Sequence, residues 1–127
     1  MSNSNMKDLI DRYLAAYNNF DVDGMLLLLS RDIRFENYSG ENLTAVASGI
    51  DDFQQLAEQS KSLFCEREQR ITNLSFGQDS AIAAIAYRGK LRAAIADGPS
   101  AGTVLDLKGQ SEFWFDNGKI TKIVDRC

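Results

Sequence analysis

The segment from Gly102 to Cys127 constrains this chain most. Two alternating apolar runs, Val104 to Phe115 and Lys119 to Val124, flank Asp116-Asn117-Gly118, residues that tolerate the left-handed backbone of a tight hairpin. A long antiparallel pair is therefore expected. A two-residue loop at Asn117-Gly118 pairs Asp116 with Lys119 and groups Phe113 and Phe115 with Ile120, Lys122 and Val124. A three-residue loop with Gly118 left-handed pairs Phe115 with Lys119 instead. That register makes one face of Ser111, Phe113, Phe115, Thr121, Ile123 and Asp125, and another of Glu112, Trp114, Ile120, Lys122 and Val124. In both registers each face carries large apolar groups, so something must pack on each.

A chain of 127 residues is expected to form one domain, 1–127, with room for a real core. Its net charge of -4 and lack of any Lys/Arg cluster argue against nucleic acid as a partner. The opening MSNSNMKD has neither the basic nor the apolar region of a signal peptide, and no apolar run reaches the length of a membrane span. No membrane partner and a cytoplasmic location are the expectations. Histidine is absent, which removes His-based triads, His metal sites and imidazole acid/base chemistry. Cys65 and Cys127 have no ligand spacing around them and are expected as free thiols. No metal and no cofactor are expected.

Met6, Leu9, Ile10, Tyr13, Leu14 and Tyr17 form one helical stripe, with Asn5 as a candidate cap. Asn18-Asn19 breaks it, and Asp21 or Asp23 can cap a short buried helix through Met25 to Leu29. Ile33 to Tyr38 alternates as a strand; Glu41 to Ala47 is open. Ser48 and Asp51 resemble a capping box for a third helix with the stripe Ile50, Phe53, Leu56, Ala57, Leu63 and Phe64. Glu66 to Leu74 is a polar strand, with Ile71 and Leu74 its only aliphatics. Ala81 to Ala96 alternates with period two despite its alanines, so strand is expected, with Asp97-Gly98-Pro99-Ser100 turning into the final pair. The order predicts an α+β domain whose helices cover one face of a mainly antiparallel sheet.

Four motifs in this order, Arg12 to Gly24 (RYLAAYNNFDVDG), Ser30-Arg31-Asp32-Ile33, Ser48-Gly49-Ile50 and Asp116-Asn117-Gly118-Lys119-Ile120, resemble the nuclear transport factor 2-like superfamily in its SnoaL-like branch. The resemblance spans nearly the whole chain. It implies three N-terminal helices on a curved sheet, closing a cone-shaped α+β barrel around an apolar pocket, with a homodimer through the outer sheet face. It also favours the three-residue turn, which turns Phe113 and Asp125 toward the cone. The superfamily includes isomerases, polyketide cyclases, dehydratases and binders without catalysis, so fold alone does not decide function.

The ketosteroid isomerase relatives use a Tyr on the first helix, a carboxylate base after the first strand and a protonated acid late in the sheet. By this resemblance Tyr13 stands at the Tyr position, but Asn37 and Ser111 stand at the two carboxyl positions and cannot take over either role. Glu36, beside Asn37, points to the opposite face of its strand. Asp125 is the remaining acid: among Phe113, Phe115 and Ile123, desolvation would raise its pKa and suit it to proton transfer. The competing reading is an exposed or salt-bridged Asp near a fraying terminus. Tyr17 is a core aromatic or a pocket-rim hydroxyl; Asn37 and Ser111 are pocket polar groups or solvated strand positions. Arg88 faces the pocket by the family alignment and solvent by the alternation of Ile85, Tyr87 and Leu91.

The resulting expectation is a pocket for a small, mainly apolar molecule, lined by Tyr13, Tyr17, Phe35, Asn37, Phe113 and Ile123, with Arg88 and Ser111 as further ligand contacts. Any catalysis is cofactor-free proton transfer on a carbonyl compound, with Asp125 as acid/base and Tyr13 as donor. The alternative is a non-catalytic binder or protein-interaction module. Trp114, Ile120 and Val124 are the expected dimer face.

Overall fold

The computed structural model of the chain describes residues 1–95 and 98–127. Helix α1 (Asn3–Asn18) buries the expected stripe of Met6, Leu9, Ile10, Tyr13 and Leu14. Its cap is Ser2 rather than Asn5: Ser2 Oγ accepts from the Asn5 N–H at 3.1 Å, so the helix starts nearly a turn earlier. Helix α2 (Val22–Leu26) is capped by Asp21, which accepts from the Gly24 N–H at 2.9 Å. It is shorter than the leucine run predicts. Leu27 is 72 % exposed and Leu29 opens strand β1 (Leu29–Ser39). Sheet hydrogen bonding takes over there, with the Leu28 carbonyl accepting from the Ile120 N–H at 2.9 Å.

The open segment becomes strand β2 (Asn42–Ser48), antiparallel to β1. Helix α3 (Ile50–Leu63) follows, capped by Gly49 at φ 91° without a side-chain bond. The expected capping box is displaced by one residue: the Ser48 N–H donates to Asp52, not Asp51, and the Ser48 hydroxyl accepts from Arg34 Nη1. Strands β3 (Phe64–Phe76), β4 (Ser80–Leu91), β5 (Val104–Asp116) and β6 (Lys119–Arg126) complete the chain. Strand β4 stops at Leu91, short of Ala96; of the expected turn, Asp97 and the preceding Ala96 lie outside the described residues.

The six strands form one curved, open sheet in the order β2-β1-β6-β5-β4-β3. Only β1 and β6 run parallel; every other neighbouring pair is antiparallel. The helices fill the concave side. Tyr13 meets Phe113 edge-on at 6.0 Å, and Phe35 meets Phe53 of α3 at 5.7 Å. Phe113, Met6, Ile10, Ile33, Ile120 and Ile123 are fully buried, each contributing about 1.5–3 kcal/mol.

The final hairpin follows neither register expected for it throughout. Asn117 (φ 51°) and Gly118 (φ 74°) make a two-residue turn and pair Asp116 with Lys119, so the three-residue loop is corrected. A register shift then falls between Trp114 and Phe115, leaving Thr121 as the extra residue on β6. Beyond it Phe113 pairs with Ile123 and Ser111 with Asp125, so the face grouping of the longer loop is recovered by a bulge. The shift also moves Ile120. It lies fully buried in the core, not on the outer face.

The convex face is more charged than expected. Trp114 is half-buried, with the Lys122 ammonium 5.1 Å from its ring centre, and Val124 is buried in register between Glu36 and Glu112. Glu36 does face away from Asn37, held by Arg34 at 3.0 Å and the Tyr38 hydroxyl at 2.8 Å. No helix among the described residues is long and apolar enough to cross a membrane.

Candidate functional site

Between α1, α3 and the concave sheet lies a cavity of about 360 Å³, within the range typical of small-molecule sites. Strand pairing arranges its sheet wall in rows. The deepest is apolar: Ala47, Phe35, Ile123, Phe113 and Ala81 stand side by side. The next is Ala45, Asn37, Asp125, Ser111 and Ala83, placing one carboxyl between an amide and a hydroxyl.

Asp125 is half-buried and lines the cavity. Ser111 Oγ donates to its Oδ1 at 2.6 Å. Burial raises the carboxyl to about 6, and the Ser111 bond, which favours the charged form, offsets part of that rise. Tyr13 is buried against Phe113 and borders the same space. Its phenol is raised well above the ordinary value, first by burial and then by the negative charge of Asp125. No hydrogen bond among the described residues uses its hydroxyl.

A second polar group sits where α1 ends against β3. Tyr17 OH and Tyr87 OH are 3.0 Å apart, and both phenols are raised mainly by burial. Asn18 joins helix to strand in both directions, accepting from the Gln69 N–H at 2.7 Å and donating to the Gln69 carbonyl at 3.2 Å. Arg67 is only 6 % exposed. Its Nε–H donates to the Tyr17 carbonyl at 2.8 Å, and its guanidinium lies 3.7 Å from the Tyr17 ring centre and 4.5 Å from that of Phe20.

Tyr13, Tyr17, Phe35, Asn37, Ser111 and Asp125 thus border one cavity. Phe113 and Ile123 lie in the packed row beneath and do not border it. Arg88 is corrected: it pairs with Asp106 and Glu68 on the convex face and is exposed, because strand alternation that turns Tyr87 inward turns Arg88 outward. Asn37 spends its amide N–H on Thr44 Oγ1 at 2.8 Å. Arg67, Gln69 and Tyr87 escaped the sequence reading of the site. The parity of Arg67 and Gln69 with Ile71 was the available signal.

Among the described residues no three His, Cys, Asp or Glu side chains gather as a possible metal-binding group, and Cys65 and Cys127 are free and exposed.

A curved sheet with helices in its concavity and a largely apolar cavity defines a fold of the nuclear transport factor 2-like, ketosteroid isomerase-like class. A provisionally assigned polyketide cyclase from Xanthomonas campestris superposes with a TM-score of 0.79 at 19% identity, over 98% of this chain and 90% of that one. A ketosteroid isomerase-like protein from Catenulispora acidiphila, in complex with trimethylamine, gives 0.77 at 14% identity over 92% and 82%. TerC, co-crystallised with polyporic acid, gives 0.75 at 16% identity over 95% and 88%. No curated protein matches the sequence. The SnoaL-like domain family matches residues 10–123, and the chain belongs to that family.

Proposed function

We propose that this SnoaL-like protein binds a small, mainly apolar carbonyl compound in the cone and moves a proton on it without a cofactor. The observation that carries this reading is Asp125: an acidic side chain held in a largely apolar cavity, between Asn37 and Ser111. Those two positions are where ketosteroid isomerase relatives place their carboxyls by resemblance, so the acid stands on the strand between them. Near neutral pH a group titrating at about 6 is mostly ionised yet returns a proton readily. Asp125 takes a proton from the carbon next to the carbonyl, and the electron pair moves to the carbonyl oxygen. Tyr13 O–H donates to that oxygen. In a β,γ-unsaturated ketone, return of the proton from Asp125 to the γ-carbon completes an isomerisation; in a dicarbonyl compound, the enolate carbon attacks the second carbonyl and the resulting alkoxide takes the proton from Asp125, which completes a cyclisation. That two fold neighbours were crystallised with trimethylamine and polyporic acid supports a small-molecule role.

The test is hydrogen–deuterium exchange at the α-carbon of a panel of cyclic ketones in deuterated buffer, followed by proton NMR. Exchange above background that falls at least about 100-fold in Asp125→Asn is expected. Exchange that Asp125→Asn leaves unchanged contradicts the catalytic role. Binding with no exchange leaves the non-catalytic binder.

We further propose a homodimer through the convex face, the chain acting as a soluble cytoplasmic protein. Trp114 on β5, Ile82 on β4 and Val46 on β2 supply its apolar part, with Ile82 40% and Val46 44% exposed.

A further inference from the structure

Among the described residues Arg67 is a buried cation without a counter-charge. Its Nη1 is inaccessible to solvent and has no hydrogen-bond partner among the described residues, and none of their carboxylates lies within ion-pair distance. A buried guanidinium destabilises the fold unless it is paired. What the fold supplies is neutral: one carbonyl from the end of α1, the faces of Tyr17 and Phe20, and the nearby Tyr17–Tyr87 hydroxyl pair. These orient the group and leave its charge standing. Among the cavity-lining residues the one acidic side chain is Asp125, on β6, three strands from β3 and six residues along the sheet from the row of Arg67.

We infer that the ligand is an acid, an apolar body bearing a carboxylate or an equivalent anionic oxygen that pairs with Arg67 at the β3 side of the cavity. The inference rests on the small-molecule reading above and narrows it. The body spans toward Asp125, so the molecule is bifunctional: an anionic oxygen at one end and the carbon that gives up its proton at the other. A two-ring acid suits the size of the cavity, about 360 Å³. Arg67 is then a specificity residue, since a neutral analogue leaves its charge unanswered.

The experiment is calorimetric titration of 2-naphthoate and 2-naphthamide, which share shape and differ in charge, into the wild-type protein, Asp125→Asn and Arg67→Gln at neutral pH. Wild type and Asp125→Asn are expected to prefer the acid by about tenfold or more. Arg67→Gln should erase that preference while keeping its affinity for the amide. Should Arg67→Gln fail to fold, the Arg67 guanidinium nitrogen resonances of the wild type, followed by NMR, are expected to move with the acid and stay in place with the amide. Equal affinity for the two probes in wild type and Asp125→Asn, or a preference that survives Arg67→Gln, overturns the inference and leaves the pocket reading standing. Absence of binding by both probes overturns both. A purely structural Arg67, capping α1, belongs with the equal-affinity result.

Discussion

Ser111 Oγ on β5 lies 2.6 Å from Asp125 Oδ1 on β6, a hydrogen bond across the strand pair facing into the cavity. It ties the acid to a fixed position while the apolar walls raise its pKa.

Stability should record that rise. The carboxyl titrates near 4 in the unfolded chain and at about 6 in the folded one. Below about pH 4 both states hold the proton and Asp125 costs nothing. Between about 4 and 6 the unfolded chain releases it first, so stability falls as pH rises, by up to about 3 kcal/mol, and the penalty then stays constant. Asp125→Asn should therefore melt above wild type at pH 8 and close to it at pH 4. Thermal unfolding across this range checks the sign. A variant less stable at pH 8 than at pH 4, relative to wild type, contradicts it.

Tyr13→Phe removes a hydroxyl that no described residue uses, and it keeps the edge contact with Phe113. The folded state should lose less than about 1 kcal/mol. Turnover, where the donor to the carbonyl oxygen acts, should fall about tenfold to 1000-fold with a smaller change in KM. Steady-state kinetics on any substrate found by exchange decides this.

Gly89 lets two aromatic rings cross its strand. A Cβ there would stand 2.8 Å from the Phe64 ring and 3.1 Å from that of Tyr87, which themselves meet edge-on at 6.0 Å. Gly89→Ala should cost about 1–3 kcal/mol and weaken ligand binding, since both rings line the cavity. Urea unfolding and calorimetry measure the two effects. A neutral result shows that the rings shift freely.

The convex face gives a direct solution test. Trp114→Glu places a like charge beside Glu112 and should shift a dimer to monomer in sedimentation at micromolar concentration. Wild type sedimenting as a monomer contradicts the dimer.

The hairpin at Asn117-Gly118 is readable because two left-handed residues in succession permit few turns. The shift at Thr121 is not, because β6 must serve β5 on one side and β1 on the other, a demand made by tertiary packing. Strand β2 is mostly exposed, with Ala47 its one buried residue, so its pattern carries almost no period; its pairing with β1 supplies the missing reason for a strand. Arg67 was hidden by chemistry: a charged residue in a polar strand reads as solvated, and only the approach of α1 buries it. Arg88 shows the converse. Its own alternation points outward, and the resemblance-based pocket placement gives way to it.

Whether Asp125 is the proton carrier of the cavity is read most directly by carbon NMR of its carboxyl through a pH titration. A midpoint near 6 is predicted, moving higher in Ser111→Ala as the charge-stabilising bond is lost. A midpoint near the ordinary value of about 4, unmoved by Ser111→Ala, would show a solvated terminal Asp and contradict the mechanism.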